Sequence, residues 1–134
     1  VTNARVESVP ADRIRAREFF DQAERFSADA QTAGLTPESR VTLLHNAAMC
    51  ACDAILHVVG KRVTSGDGAH VLRLESALDQ AGHDTEELRE SLDASRMRRN
   101  EASHATLFVA EASASDALET TTELIELARS FVPN

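Results

Sequence analysis

The chain has 134 residues, enough for one domain with a real core but too few for two. Its 22 acidic residues against 14 basic ones give a formal net charge of −8, which disfavours a protein that coats nucleic acid nonspecifically but leaves room for a local basic patch. Apolar residues make up 43% of the chain, much of it Ala and Leu, with five Phe and neither Trp nor Tyr. That composition suits helix packed on helix, because small side chains let backbones approach, whereas sheets favour β-branched and aromatic residues.

In chain order, a first helix is expected from about Ala11 to Ala33, with Pro10 near its start and Gly34 as its C-cap. Its apolar stripe is Ile14, Phe19, Phe20, Ala23, Phe26 and Ala30. Thr36 followed by Pro37 reads as an N-cap and first helical position, opening a second helix to about Lys61. Leu43, Leu44, Ala47, Ala48, Met49, Ala51, Ile55, Leu56 and Val58 make that helix apolar on most sides. Such a helix is central in its bundle or shared with another chain. Thr64 to Gly68 is a turn; it lacks the Lys and preceding strand of a phosphate loop.

A third helical piece covers about Ala69 to Ala81 and stops at Gly82. Asp84-Thr85-Glu86-Glu87 opens a fourth with a capping-box pattern, and that piece runs on through Leu88, Leu92 and Met97. Thr106 to Val109 is β-prone and reads as irregular or extended. Ser113 to Asp116 then caps a final helix to about Phe131, with Ala117, Leu118, Thr121, Leu124, Ile125, Ala128 and Phe131 inward. The expected fold is one all-α domain over residues 1–134, a four-helix up-and-down bundle whose third layer is broken at Gly82.

No uninterrupted apolar run is long enough to span a bilayer, and Val1 to Pro10 lacks the apolar core of a signal peptide. Cys50 and Cys52 lie two apart on a helix, about 200° around its axis, so they point away from each other. The expectation is a reduced, cytoplasmic protein without membrane association.

The chemistry concentrates at Arg99-Asn100-Glu101-Ala102-Ser103-His104, approached by Arg96 and Arg98. Arginine holds a phosphate through a planar fork of donors, and histidine moves a proton near neutral pH. Asn100 and His104 are four apart, one helical turn, so the amide can orient the imidazole. Spacing alone does not select this site, because Arg40 and His45 repeat it. There the intervening residues are Val41, Thr42, Leu43 and Leu44, which mark a helix start with an exposed Arg and a satisfied core or boundary His. From the residues alone, the Arg99 stretch is either a phosphate-handling site or a solvated helix end whose bases complement the dipole.

The stretch resembles the Arg-x4–6-His motif of the HEPN superfamily (higher eukaryotes and prokaryotes nucleotide-binding domains), in which the arginine is typically followed by a polar residue such as Asn. The resemblance extends along most of the chain. The apolar run Leu43 to His57 leads to a Gly-containing loop and a short helix. Met97-Arg98-Arg99-Asn100 then precedes the His and a final amphipathic helix. That order looks like small actinobacterial-type HEPN proteins. The resemblance implies a helical bundle that forms a homodimer with two motifs in one cleft, acting as a metal-independent endoribonuclease of toxin or defence type. It also implies RNA or a nucleotide as ligand and an antitoxin or other regulatory protein as partner. On this resemblance Arg99 and His104 are catalytic, Asn100, Arg96 and Arg98 bind substrate, and no metal or cofactor is needed. The alternative it carries is a noncatalytic module binding nucleotide, RNA or a protein. One departure is Thr106, where toxin-type relatives place a modifiable tyrosine. Glu101 also puts a negative charge inside the motif.

Among other candidates, Cys50, Asp53 and His57 share one helical stripe that could in principle hold a metal, but no second ligand cluster accompanies them. Asp53 is alternatively placed to reach across the bundle to His104 or Arg99. His70 and His83 flank turns and are expected at the surface.

Overall fold

The computed structural model describes residues 3–82, 85–91, 94 and 111–132. The elements in order are β1 (Val6–Ser8), α1 (Arg13–Ala30), α2 (Pro37–Val58), β2 (Lys61–Val63), α3 (Ala69–Ala81), α4 (residues 86–91) and α5 (Glu111–Phe131). The chain is mostly helical, as composition implied, with one small two-stranded sheet that the helical reading did not anticipate.

Helix α1 begins where Asp12 accepts a hydrogen bond from the Arg15 backbone N–H at 2.8 Å, so Asp12 and not Pro10 sets its start. It ends with Gln31 as C-cap, leaving Gly34 in the following turn with φ +89°. Ala16, Phe20, Ala23, Ser27 and Ala30 form its buried stripe. Ile14 is 77% exposed, a correction to its expected place in that stripe. The reason is angular: Ile14 lies about 160° around the helix from the buried face. Phe19 and Phe26 sit on the flank, half-buried.

Helix α2 starts as its sequence specifies, with Thr36 accepting from Ser39 N–H and Pro37 in the first turn. It packs against α1, α3, α5 and β2, which places it at the centre. Its buried residues Ala47, Ala51, Ala54, Cys52, Ile55 and Leu56 mix small and large side chains, so neighbouring helices approach closely. By length and average composition α2 is apolar enough to cross a membrane, although it holds no unbroken apolar run of that length. Asn46, Asp53 and His57 break the run without lowering its average below that threshold. Half of that apolar window is buried against the rest of the protein.

The helix stops at Val58, short of Lys61, because the chain turns at Gly60 and enters β2. Gly60 has φ +77°, and a Cβ there would lie 2.8 Å from the Val9 carbonyl oxygen, so only glycine fits. Strand β2 pairs antiparallel with β1 in the register Val6↔Val63, Glu7↔Arg62, Ser8↔Lys61. Hydrogen bonds from Val9 N–H to Gly60 O and from Asp12 N–H to His57 O, both 2.9 Å, fasten the amino-terminal segment to the end of α2. Glu7 accepts from Arg62 at 2.9 Å across the sheet, and that bond holds its carboxyl below the usual range.

Helix α3 ends at Gly82, as expected. Asp84 lies outside the described residues, while the Thr85 hydroxyl donates to Gly82 O at 2.9 Å. Helix α5 already includes Glu111, so Ser113, Ser115 and Asp116 are helical and do not cap its start. Its inward residues Ala117, Thr121, Leu124, Ile125 and Ala128 are buried as the period predicted, and Leu118 and Phe131 are half-buried. Ala30, Val41, Leu44, Ala114 and Ala117 join the ends of α1, α2 and α5 in a smaller cluster beside the main core.

Candidate functional site

The strongest sequence candidates, Arg96, Arg98, Arg99, Asn100 and His104, lie outside the described residues, as do Glu101, Thr106 and His83. What the structure does describe is the scaffold on either side of them and a separate polar stripe along α2.

That stripe steps along α2 at His45, Met49, Asp53 and His57, every fourth residue. Each side chain meets a neighbour from another helix. His45 Nε2 lies 3.1 Å from His70 Nδ1 on α3. Asp53 Oδ1 accepts from Arg73 Nε at 2.9 Å, with both side chains about four-fifths buried, and Arg73 Nη1 also approaches Met49 Sδ at 3.9 Å. His57 stacks on Phe19 of α1, the ring centroids 5.1 Å apart and the planes within 9°, and Arg15 covers the Phe19 ring at 4.9 Å.

Burial dominates the electrostatics here. The Asp53 carboxyl is pushed up by desolvation, and Arg73 pulls it back only in part. The imidazole of His57 is pushed down, again mainly by burial. The Cys50 thiol is pushed up to about 11 by burial and by the nearby Asp53 charge, so at neutral pH it stays protonated and a poor nucleophile. Burial pushes Cys52 up as well, and both cysteines are free.

These contacts settle several sequence expectations. Asp53 is engaged by Arg73; the alternative partners Arg99 and His104 lie outside the described residues. Among the described residues no three His, Cys, Asp or Glu side chains converge as metal ligands, Cys50, Asp53 and His57 included. Arg40 is half-buried, not exposed: its Nη1 donates to Glu111 at 2.9 Å, while its Nε is buried without a partner. His45 is the boundary histidine expected, with His70 at the surface opposite it. Sequence reasoning missed that His70 and Arg73 answer His45 and Asp53. The available signal was the pair of polar residues one helical turn apart on α3, facing polar interruptions in an otherwise apolar α2.

A concavity of about 870 Å³ lies between α4 and α5. Its floor includes Ala81, Thr85, Leu88, Thr120 and Leu127, and its walls carry Glu87, Asp116, Glu119, Glu123 and Glu126. Five carboxylates repel a phosphate backbone, so this groove does not suit a polyanion. A smaller cavity of about 220 Å³ lies beside Arg40, lined by Ala30, Gln31, Leu44, Ala114 and Leu118.

No protein-family model, curated protein or solved structure matches this chain.

Proposed function

We propose that this chain is a HEPN-like, metal-independent endoribonuclease whose Arg99 and His104 line a cleft formed by two copies of the chain. The carrying observation is the Arg99-Asn100-x3-His104 motif, with its Arg-rich approach and polar interior, placed between the helix break at Gly82 and the last helix. The helical framework around a central α2 is the setting such a motif requires, and the four-helix, up-and-down arrangement belongs to this reading. The free cysteines fit a reducing compartment, consistent with a cytoplasmic protein.

In this reading His104 takes the proton from a ribose 2′-hydroxyl as its oxygen attacks the neighbouring phosphorus. The bond to the 5′-oxygen breaks, the leaving oxygen takes a proton from the protonated imidazole of the second copy's His104, and a 2′,3′-cyclic phosphate remains. Arg99 holds the phosphate and offsets the charge that builds on its oxygens. Asn100 orients the imidazole, and Arg96 and Arg98 guide the RNA backbone.

A second reading is a noncatalytic module that binds nucleotide, RNA or a protein partner. The net charge of −8 and the carboxylate-lined groove of α4 and α5 favour a protein partner with a basic surface over RNA at that groove. Labelled RNA incubated with the purified protein in EDTA separates the two. Cleavage that survives chelation and falls on the order of a hundredfold or more in His104→Ala supports the enzyme. An inert wild type that still binds nucleotide, RNA or a basic protein supports the module. Sedimentation that finds only monomers removes the shared cleft.

A further inference from the structure

One polar contact plays no part in the proposed reaction: the two imidazoles that bridge α2 and α3. We propose that His45 and His70 form a two-histidine clamp for a divalent transition-metal ion of the zinc or nickel type, joining α2 to α3. The inference does not depend on the ribonuclease reading.

The geometry carries it. His45 Nε2 and His70 Nδ1 are 3.1 Å apart, the ring centroids 4.8 Å apart and the planes tilted by 49°. A ring nitrogen lies about 1.15 Å from its centroid, so a straight N–H···N bond of that length would separate the centroids by about 5.4 Å. The observed separation is shorter, so at least one ring axis is inclined to the line between the nitrogens. Two imidazoles that share one ion at about 2.05 Å are inclined by about 40° to that line, which puts their centroids about 4.8 Å apart. The angle at the ion is then about 98°, between the tetrahedral and octahedral values that zinc and nickel accept.

The chemistry agrees with the placement. Neutral imidazole is a common ligand for borderline divalent ions, and either ring nitrogen serves once the other carries the proton. Without an ion the same pair makes one hydrogen bond whose donor is set by the tautomer. No third His, Cys, Asp or Glu completes a cluster among the described residues, so among them His45 and His70 supply two of the ion's ligands. The two histidines are 25 residues apart in sequence, so an ion held by both binds the folded chain and not the unfolded one. Its effect is to fasten α3, whose neighbouring contact with α2 is the Asp53–Arg73 pair.

The test is titration of the untagged, full chain with ZnCl2 and with NiCl2 by calorimetry, with MgCl2 as the oxygen-preferring control. One ion per chain is expected for zinc and nickel and none for magnesium. His45→Ala and His70→Ala should each weaken binding on the order of a hundredfold, as loss of the second anchor removes its effective concentration. Cys50→Ser should leave it unchanged, and zinc should raise the melting temperature of the wild type but of neither histidine variant. In the wild type, zinc should shift the imidazole resonances of His45 and His70 and leave those of His57 in place, a readout that needs no variant to fold. A wild type that binds no ion overturns the proposal. So does binding that survives both histidine substitutions or disappears in Cys50→Ser.

Discussion

The two sides of α2 are built on different physics. Ala47, Ala51, Ala54 and Ile55 of α2 share one apolar core with Ala16, Phe20 and Ala23 of α1 and with Leu124 and Ala128 of α5. Toward α3 the same helix presents His45, Met49 and Asp53, which meet His70 and Arg73, with Leu74 and Leu78 in the core beside them. The apolar core gains from area removed from water and tolerates many partners of the right volume. The polar contacts gain little net energy, but each group depends on one opposite, so they specify how α3 sits. One helix thus supplies stability on one side and position on the other.

The largest expected effect breaks the apolar core. Phe20 is fully buried, with the guanidinium groups of Arg17 and Arg129 over its ring at 5.3 Å and 5.0 Å. Phe20→Ala should cost about 3–5 kcal/mol of unfolding free energy, measured by urea denaturation, because the removed ring leaves a cavity. A loss no greater than a surface substitution would show that this core is not the main source of stability.

A smaller effect is expected at the polar contacts. Asp53→Ala leaves the Arg73 guanidinium without its carboxylate in a mostly buried place and should cost about 2 kcal/mol, between exposed and fully buried pairs. The double variant Asp53→Leu with Arg73→Met should recover most of that loss, since desolvation already outweighs the pairing at Asp53. A double variant as unstable as the single one would mean that the pair supplies net stability as well as position.

The smallest effect sharpens the comparison through pH. Burial against Phe19 lowers the pKa of His57 below its ordinary value, so the unfolded chain binds that proton more readily than the folded one. Stability from this group is therefore present above the unfolded pKa of about 6.5 and falls as the pH drops through the window beneath it. Urea midpoints of the wild type should decline between about pH 7 and pH 5 more steeply than those of His57→Gln. Equal slopes would show that the stack does not disfavour the charged imidazole.

Helix positions were largely legible because capping and period are local properties. Thr36 with Pro37, Gly82 and the inward face of α5 were all readable in advance. The failures have different causes. Ile14 looked like part of an apolar stripe, although the period alone sets it about 160° from the face of Phe20, Ala23 and Ala30, and it is exposed. Lys61 looked helical because nothing local shows that Val9 O occupies the space beside Gly60. At the candidate site, the Arg99–His104 motif is legible in sequence and lies outside the described residues, so its role rests on the motif and on the proposed experiments. The answering residues His70 and Arg73 were not legible, because pairing across 20 or more positions is set by how two helices cross.

The sequence by itself determined that this chain is helical, where several of its helices start and stop, and that its longest helix is the most apolar one. Those outcomes depend on residues within a turn or two of each other, through propensity, capping and the 3.6-residue period. Tertiary structure alone decided that a short strand from the amino terminus would pair after α2, and which polar side chains of α2 would find partners. Each of those is a contact between distant segments, and its energy exists only once the helices have met.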